Sequence, residues 1–236
     1  MTRIALITGA NKGIGYEIAR LLAGQGVTTI VGARDDERGR AAAERLGQPY
    51  VRLDVTDGES VSAAAKWIDG EYGRLDVLVN NAGVTGDPAG FLPSAATAAH
   101  LREVYETNVF GVVTVTNAML PLLRRSGAGR IVNMSSELGS LAMAMDPASP
   151  FGEFNALAYN SSKSALNMVT VCYAKELKDT PIKVNAANPG YCATDLNDHQ
   201  GFRTAEQGAA IAVRLATQDE DGPSGAYLED AGTVRW

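Results

Sequence analysis

The sequence predicts an α/β fold in which a parallel sheet is covered by helices on both faces. Short β-branched apolar segments alternate with segments that carry Ala, Leu, Glu and Arg at helical spacing. The first strand also runs into a glycine-rich turn that opens a helix. Such alternation implies right-handed crossovers and hence a doubly wound sheet. Because no Pro/Gly/Ser linker interrupts the series, one domain over residues 1–236 is expected.

The first half of the chain supplies four strands and three helices in alternation. Strands are expected over residues 4–8, 28–33, 50–54 and 77–80. Helices are expected between them, over residues 14–23, 37–46 and 60–68.

The second half continues the pattern, which gives a sheet of about seven strands. The expected elements are a helix over 98–124, a strand over 130–135, a helix over 157–178, a strand over 183–187 and a helix over 204–216. One irregular stretch, residues 141–155, holds Pro147, Pro150 and Gly152, which break any helix or strand across it. It is too long for an ordinary turn, so a functional role is expected.

Composition and charge exclude several classes of protein. The chain is 45% hydrophobic and 20% charged, as globular proteins are, and its net charge of −6 argues against nucleic acid as a partner. No stretch approaches the ~18 apolar residues of a membrane span, and the apolar N-terminal run is too short for a signal peptide. A cytoplasmic location is therefore expected, with Cys172 and Cys192 reduced.

The turn after the first strand has the composition of a phosphate-binding loop. Gly9, Gly13 and Gly15 follow the strand in the spacing Gly-x-x-x-Gly-x-Gly. Glycines allow a sharp turn and close approach to a pyrophosphate, while the helix N-terminus offers free N–H groups to the anion. On this motif alone, a glycine-rich turn without a ligand remains an alternative.

Five motifs in chain order together carry a family resemblance. They are Thr8-Gly9-x-x-x-Gly13-x-Gly15, Asn80-Asn81-Ala82-Gly83, Ser136, Tyr159-x-x-x-Lys163 and Pro189-Gly190. The chain resembles the short-chain dehydrogenase/reductase family over almost its whole length. This resemblance implies a Rossmann-like sheet, a nicotinamide dinucleotide cofactor and an oxidoreductase acting on CH–OH or C=O groups. Asn11-Lys12, Ala33-Arg34-Asp35 and the ending 222–236 are most similar to the carbonyl reductase branch.

The residues after the second strand favour NADP over NAD. Ala33 stands where the family places the carboxylate that holds the ribose hydroxyls of NAD. Arg34 follows at once, and Lys12 is expected to rise from the glycine turn toward the same point, so that two cations converge on the 2′-phosphate. Asp35 and Asp36 leave NAD possible as the cofactor. The other alternative is that Arg34 and Lys12 are ordinary surface residues.

The resemblance also implies the remaining cofactor contacts. They are Gly9, Asn11, Gly13, Ile14, Gly15, Asp54, Val55, Asn81, Ala82, Gly83, Tyr159, Lys163, Pro189, Gly190 and Thr194.

Tyr159 and Lys163 are the expected centre of the chemistry. Four residues apart on a helix, they share a face, and an ammonium beside the phenol is expected to lower its pKa toward neutrality. The resemblance implies that Tyr159 gives the proton, that Ser136 rather than Ser135 bonds the carbonyl oxygen, and that Asn108 holds a water in a proton relay. Taken alone, the pair would be a packed aromatic beside a solvated charge.

Substrate and assembly are less constrained. Candidate substrate-lining residues are Leu138, Met143, Met145, Phe151, Phe154, Tyr191 and Phe202, which suggest a small apolar carbonyl compound, although they can equally pack on one another. His100 and His199 lack metal-like partners, so no metal site is expected. The resemblance implies that the branch covers the usual helical dimer face with an insertion, so a monomer is favoured over a homo-oligomer, although the insertion within 141–155 is shorter than full coverage needs.

The expected function is that of an NADPH-dependent ketone or aldehyde reductase. Its alternatives are an NAD-dependent alcohol dehydrogenase and a non-catalytic NADP-binding sensor or scaffold.

Overall fold

One eight-stranded sheet organises the computed structural model, which describes residues 2–236. The strands are β1 Ile4–Thr8, β2 Thr28–Ala33, β3 Tyr50–Arg52, β4 Val77–Asn80, β5 Arg130–Met134, β6 Lys183–Ala187, β7 Tyr227–Glu229 and β8 Gly232–Thr233. Their order is β3-β2-β1-β4-β5-β6-β7-β8. All neighbours pair in parallel except β7 and β8, which form an antiparallel edge pair.

Helices follow the strands on both faces. They are α1 Gly13–Gly24, α2 Asp36–Leu46, α3 Gly58–Tyr72, α4 Ala98–Tyr105, α5 Gly111–Leu123, α6 Leu141–Ala144, α7 Leu157–Glu176 and α8 Ala205–Thr217. The predicted Rossmann-like α/β fold is confirmed, with eight strands in residues 2–236 instead of about seven. Among these residues no helix is both long and apolar enough to cross a membrane.

Three sequence predictions about elements need correction. The expected strand over 50–54 ends at Arg52. The single helix expected over 98–124 is divided by a π-helical turn, Glu106–Phe110, which separates α4 from α5. The stretch 141–155 begins with the short helix α6, because the Ser140 side chain accepts a hydrogen bond from the Met143 N–H (3.0 Å) and caps it.

Side-chain alternation in β1 divides the core between the two faces of the sheet. Ile4 and Leu6 contribute to an apolar cluster under α3, α5 and α7, which also contains Ile68 and Met119. Ala5 and Ile7 point to the opposite cluster, formed with α1, α2 and α8. Since successive strand residues face opposite sides, burial on both faces explains why β1 is wholly apolar before Thr8.

The strand order places the polar motifs together. It reverses between β1 and β4, the point at which open α/β sheets bind ligands beyond the carboxyl ends of their strands. At that edge β1 leads into the glycine turn, β4 into Asn81–Gly83 and β5 into Ser135 and Ser136.

Candidate active site

A cleft of about 450 Å³ runs across the carboxyl edge of the sheet. All but one of the cofactor contacts expected from the sequence line it: Gly9, Asn11, Lys12, Gly13, Ile14, Gly15, Arg34, Asp54, Val55, Asn81, Ala82, Gly83, Tyr159, Lys163, Pro189 and Thr194. The exception is Gly190, which turns with φ +71° beside the Arg203 side chain. The cleft thus brings the glycine turn and the Tyr159–Lys163 pair into one site.

The glycine turn is packed too closely for side chains. A Cβ on Gly15 would lie 2.4 Å from Asn81 Nδ2 and 2.6 Å from the Gly9 carbonyl oxygen. Gly9 has φ +64°, and a Cβ on it would lie 3.0 Å from Ala82 Cα. Thr8 joins the turn to the β4 loop, since its hydroxyl accepts the N–H groups of Asn81 and Ala82, each at 2.9 Å.

The N-terminus of α1 has the features of an anion site. Its N-cap is Lys12, whose side chain makes no capping hydrogen bond, and its first turn holds no acidic residue. The unsatisfied N–H groups and the positive end of the helix dipole therefore face the cleft, which fits a pyrophosphate.

Cations line the cleft, and one of them is already held in an ion pair. Arg34 is there, together with Arg38, which sequence reasoning missed. Lys12 also lines the cleft, but its Nζ is already paired with Asp195 Oδ2 at 2.5 Å. That partner lies 183 residues away in the chain, so no local pattern shows it.

Asp35 and Asp36, the carboxylates that left NAD possible as the cofactor, both have partners in α2. Asp35 caps the helix by accepting the Arg38 N–H at 2.9 Å. Asp36 pairs with Arg40 at 2.8 Å, and this hydrogen bond lowers its pKa. Asp35 lines the cleft, whereas Asp36 does not.

Tyr159 and Lys163 both lie on α7 and border the cleft. Lys163 Nζ lies 5.5 Å from the Tyr159 ring centroid and donates to the Met134 carbonyl at 2.8 Å. Burial lowers the pKa of Lys163 to about 8 and raises the pKa of Tyr159 to about 12. The expected lowering of the Tyr159 pKa is therefore wrong for this structure, because desolvation outweighs any attraction to the ammonium.

The two serines after β5 have different surroundings. The Ser135 hydroxyl is buried and donates to Asn167 Oδ1 on α7 at 2.6 Å. Ser136 lies close enough to Tyr159 to lower the phenol pKa, which partly offsets the effect of burial. Ser136 is thus the serine beside the phenol, as expected from the sequence.

Asn108 sits in the π-helical turn Glu106–Phe110, a feature frequent at functional sites. Its amide accepts from the Val84 N–H and donates to the Val84 carbonyl, both at 2.9 Å, and it donates to Ser162 Oγ at 3.0 Å. A Cβ on Gly83 would lie 3.3 Å from Asn108 Oδ1 and 3.7 Å from Lys163 Nζ. Gly83 therefore leaves a space between these two side chains.

The residues expected to line the substrate site are only partly brought together. Leu138, Met143, Phe151 and Phe154 border a second, small cavity. Tyr191 stacks edge-on between Phe151 and Phe202, with ring centroids 6.1 and 5.9 Å away. Met145 is 83% exposed and borders neither cavity. Much of this apolar set packs on itself, the alternative that the sequence left open.

Glu137 and His199 also lie near the predicted substrate-lining residues. Glu137, which sequence reasoning missed, borders the same small cavity directly after Ser136. His199 is exposed, and its Nε2 lies 3.1 Å from Oδ1 of Asp195, a residue that lines the cleft.

Comparison with known proteins defines the class of this protein. The family model described as short chain dehydrogenase matches residues 3–205. The chain belongs to the short-chain dehydrogenase/reductase family, and it is an NAD(P)-dependent oxidoreductase acting on CH–OH or C=O groups.

Individual relatives span nearly the whole chain. Short-chain dehydrogenase anuI of Penicillium roqueforti is 40% identical, covering 98% of this chain and 95% of its own length. Carbonyl reductase [NADPH] 1 of Sus scrofa is 32% identical over 100% of this chain and 94% of its own. The structure of NADPH-bound carbonyl reductase from chicken fatty liver superposes with a TM-score of 0.87 at 28% identity, covering 100% and 99% of the two chains.

Proposed function

We propose that this protein is an NADPH-dependent carbonyl reductase that uses Tyr159 as its proton donor. The observation that carries the proposal is that Tyr159 and Lys163 line the same cleft as Arg34 and Arg38. Both halves of the sheet contribute to that cleft, so we treat residues 1–236 as one functional domain.

The cofactor would lie along the cleft. The pyrophosphate would lie at the N-terminus of α1. There Gly9 and Gly15, where a side chain would clash, leave the backbone N–H groups uncovered. The 2′-phosphate would lie between Arg34 and Arg38, because guanidinium groups bind phosphate through paired, charge-assisted hydrogen bonds. When bound, NADPH supplies the hydride that reduces the carbonyl carbon.

Tyr159 is suited to give a proton to the carbonyl oxygen. With its pKa raised to about 12, the phenol stays protonated at neutral pH. Ser136 lies beside the phenol, and the two hydroxyls would together donate to the carbonyl oxygen as it becomes negative. Lys163, with its pKa lowered to about 8, and the space by Asn108 supply a route for a replacement proton.

The arginines that line the cleft provide a test of cofactor choice. Replacing both Arg34 and Arg38 by Ala removes the groups assigned to the 2′-phosphate, so NADPH affinity should fall by about ten- to a hundredfold while NADH affinity changes little. Arg40→Ala is the matched control, since Arg40 lies on the same helix but outside the cleft. The measurement is titration of each reduced cofactor, followed by its oxidation with a panel of ketones and aldehydes.

Two outcomes would contradict the proposal. Equal losses of NADPH and NADH affinity would refute the NADP assignment and favour an NAD-dependent dehydrogenase. Tight NADPH binding without oxidation by any carbonyl compound would favour a non-catalytic binding protein.

A further inference from the structure

The Pro189-Gly190 turn leaves the sheet beside the reacting groups. It follows β6, whose last residue, Ala187, accepts the N–H of Ser135 at 2.8 Å through its carbonyl oxygen. The turn therefore starts next to the segment that carries Ser136, and Pro189 lines the cleft together with Tyr159. Because hydride must reach a carbon held beside Tyr159, the nicotinamide end of the cofactor would meet this turn.

Two side chains, those of Asn188 and Arg203, contact this turn. Asn188 Oδ1 accepts the Gly190 N–H at 3.1 Å. The stem of Arg203 packs against the same glycine, since a Cβ on Gly190 would lie 2.8 Å from Arg203 Cδ. Gly190 has φ +71°, a conformation that glycine adopts without strain. Because Gly190 has no side chain of its own to anchor it, its position depends on these two neighbours.

Both of these side chains are held in turn by the β7–β8 hairpin. Asn188 Nδ2 donates to Glu229 Oε2 at 2.9 Å. The Arg203 guanidinium pairs with Asp230, and their hydrogen bond raises the pKa of the arginine. Glu229 is the last residue of β7, and Asp230 follows it in the connection to β8. Two consecutive carboxylates therefore link the antiparallel edge of the sheet to the turn at the cleft.

Arg203 also joins the chain after the turn to the start of α8. Its guanidinium donates to the Gln207 carbonyl at 2.8 Å. Its backbone N–H donates to the Tyr191 carbonyl at 3.1 Å, and its own carbonyl accepts the Ala193 N–H at 2.8 Å. Arg203 does not itself border the cleft. Any effect it has on a ligand in the cleft must therefore pass through the turn.

We propose that Arg203, held by Asp230, is a positioning residue that fixes the Pro189-Gly190 turn against the nicotinamide end of the cofactor. This inference rests on the cofactor binding in the proposed function and names the residues that shape one end of that site. Without the ion pair the turn would be less restricted, and the nicotinamide would be held less firmly. The rest of the cofactor would be unaffected, because its phosphates are assigned to the glycine turn and to Arg34 and Arg38.

A comparison of the whole cofactor with a truncated form tests this role. NADP⁺ contains the nicotinamide, whereas 2′-phospho-ADP-ribose lacks it and keeps the pyrophosphate, the adenine and the 2′-phosphate. Calorimetry measures the affinity of both ligands for wild type, Asp230→Asn and Arg203→Met. Glu206→Gln is the matched control, since Glu206 pairs with Arg20 at 2.9 Å, lies in the first turn of α8 and does not border the cleft.

Asp230→Asn should weaken NADP⁺ binding by about two- to fivefold, the effect of a partly exposed ion pair, and leave 2′-phospho-ADP-ribose binding unchanged. Arg203→Met should weaken NADP⁺ binding at least as much, because it also removes the bond to the Gln207 carbonyl. Glu206→Gln should bind both ligands like wild type. Asp230→Asn keeps the arginine in place, so the test does not depend on the folding of Arg203→Met. An unchanged ratio of the two affinities in Asp230→Asn would overturn the proposal, since a merely structural role predicts that result.

A second measurement needs no cofactor. Exchange of the Gly190 amide, read by NMR in the cofactor-free protein, should be faster in Asp230→Asn than in wild type and unaltered in Glu206→Gln. Equal exchange in wild type and Asp230→Asn would also refute the inference. Neither measurement involves turnover, so failure of wild type to reduce any carbonyl contradicts only the reductase function. If wild type prefers NAD⁺, the affinities of NAD⁺ and ADP-ribose provide the same comparison.

Discussion

Burial changes the proton affinities of Tyr159 and Lys163 in opposite directions. It raises the pKa of the phenol to about 12 and lowers the pKa of the ammonium to about 8. The phenol is thereby kept protonated, whereas the lysine exchanges its proton near neutral pH. This division suits a residue that donates the proton and a neighbour that takes part in replacing it.

The two adjacent serines make a matched pair. Ser136→Ala should lower turnover by ~10²–10³, the effect of losing one donor to a developing oxyanion, with little change in stability. Ser135→Ala should instead cost about 1–3 kcal/mol in the free energy of unfolding, because it leaves Asn167 Oδ1 without its buried donor. Steady-state kinetics and urea unfolding of both variants check this. The reverse pattern would assign the catalytic role to Ser135.

The buried ammonium makes a prediction about pH. Because the folded pKa of Lys163 is about 8 and the unfolded value about 10.5, the charged lysine destabilises the fold below pH 8, and the penalty disappears as the pH rises toward 10.5. The penalty is at most about 3 kcal/mol. Wild type should therefore gain stability relative to Lys163→Met between pH 7 and pH 10. Urea unfolding at the two pH values measures this, and a pH-independent difference would contradict it.

Among the elements, the C-terminal residues 235–236 fix the start of the stretch 141–155. The Trp236 ring stacks on the Tyr227 ring of β7, with centroids 5.3 Å apart. The backbone carbonyl of Trp236 accepts the Ala142 N–H at 3.1 Å. The Arg235 carbonyl accepts from Ser140 Oγ at 2.6 Å, and its guanidinium pairs with Asp146 at 2.7 Å. Helix α6 is thus held at both ends.

Loss of the aromatic stack should loosen α6. Since a stacked pair contributes about 0.5–1.5 kcal/mol, Trp236→Ala should speed amide hydrogen exchange in residues 142–146 by roughly two- to twelvefold, with α8 unchanged. Arg235→Ala should have a smaller effect, because it removes an ion pair whose arginine side chain is 66% exposed. Hydrogen exchange read by mass spectrometry tests both variants. Unaltered exchange over 142–146 in Trp236→Ala would contradict the assignment.

Elements with a strong periodic pattern could be predicted from the sequence, and those that depend on distant contacts could not. β1, β2, β4 and β6 occupy the expected residues because β-branched or apolar residues make up most of each between turn signals. The π-helical turn at Glu106–Phe110 was missed because apolar spacing continues through it. Strands β7 and β8 are three and two residues long, too short for a period to show.

The candidate site shows the same division. The glycines of the turn after β1 and the Tyr159–Lys163 pair could be identified because each forms a motif with a fixed local spacing. Arg38 was missed because only the folded chain shows that it lines the cleft. The predicted direction of the Tyr159 pKa shift was wrong because burial outweighs the neighbouring charge. A local motif does not show how deeply the folded chain buries a residue.

At the scale of the whole molecule, the charge is distributed unevenly. The chain carries a net charge of −6, yet Arg34 and Arg38 both line the cleft. A local cationic patch attracts an anionic dinucleotide at short range even on an acidic protein. The monomeric state stays a prediction, which light scattering at micromolar concentration would test.

The central claim, that Tyr159 gives the proton in a carbonyl reduction, is tested most directly by Tyr159→Phe. The variant loses only the hydroxyl, so NADPH should bind with nearly unchanged affinity while single-turnover reduction of a good aldehyde slows by ~10²–10⁴. NADPH binding is followed by fluorescence and its oxidation by absorbance in the same samples. A variant that kept more than about a tenth of the wild-type single-turnover rate would show that another group donates the proton.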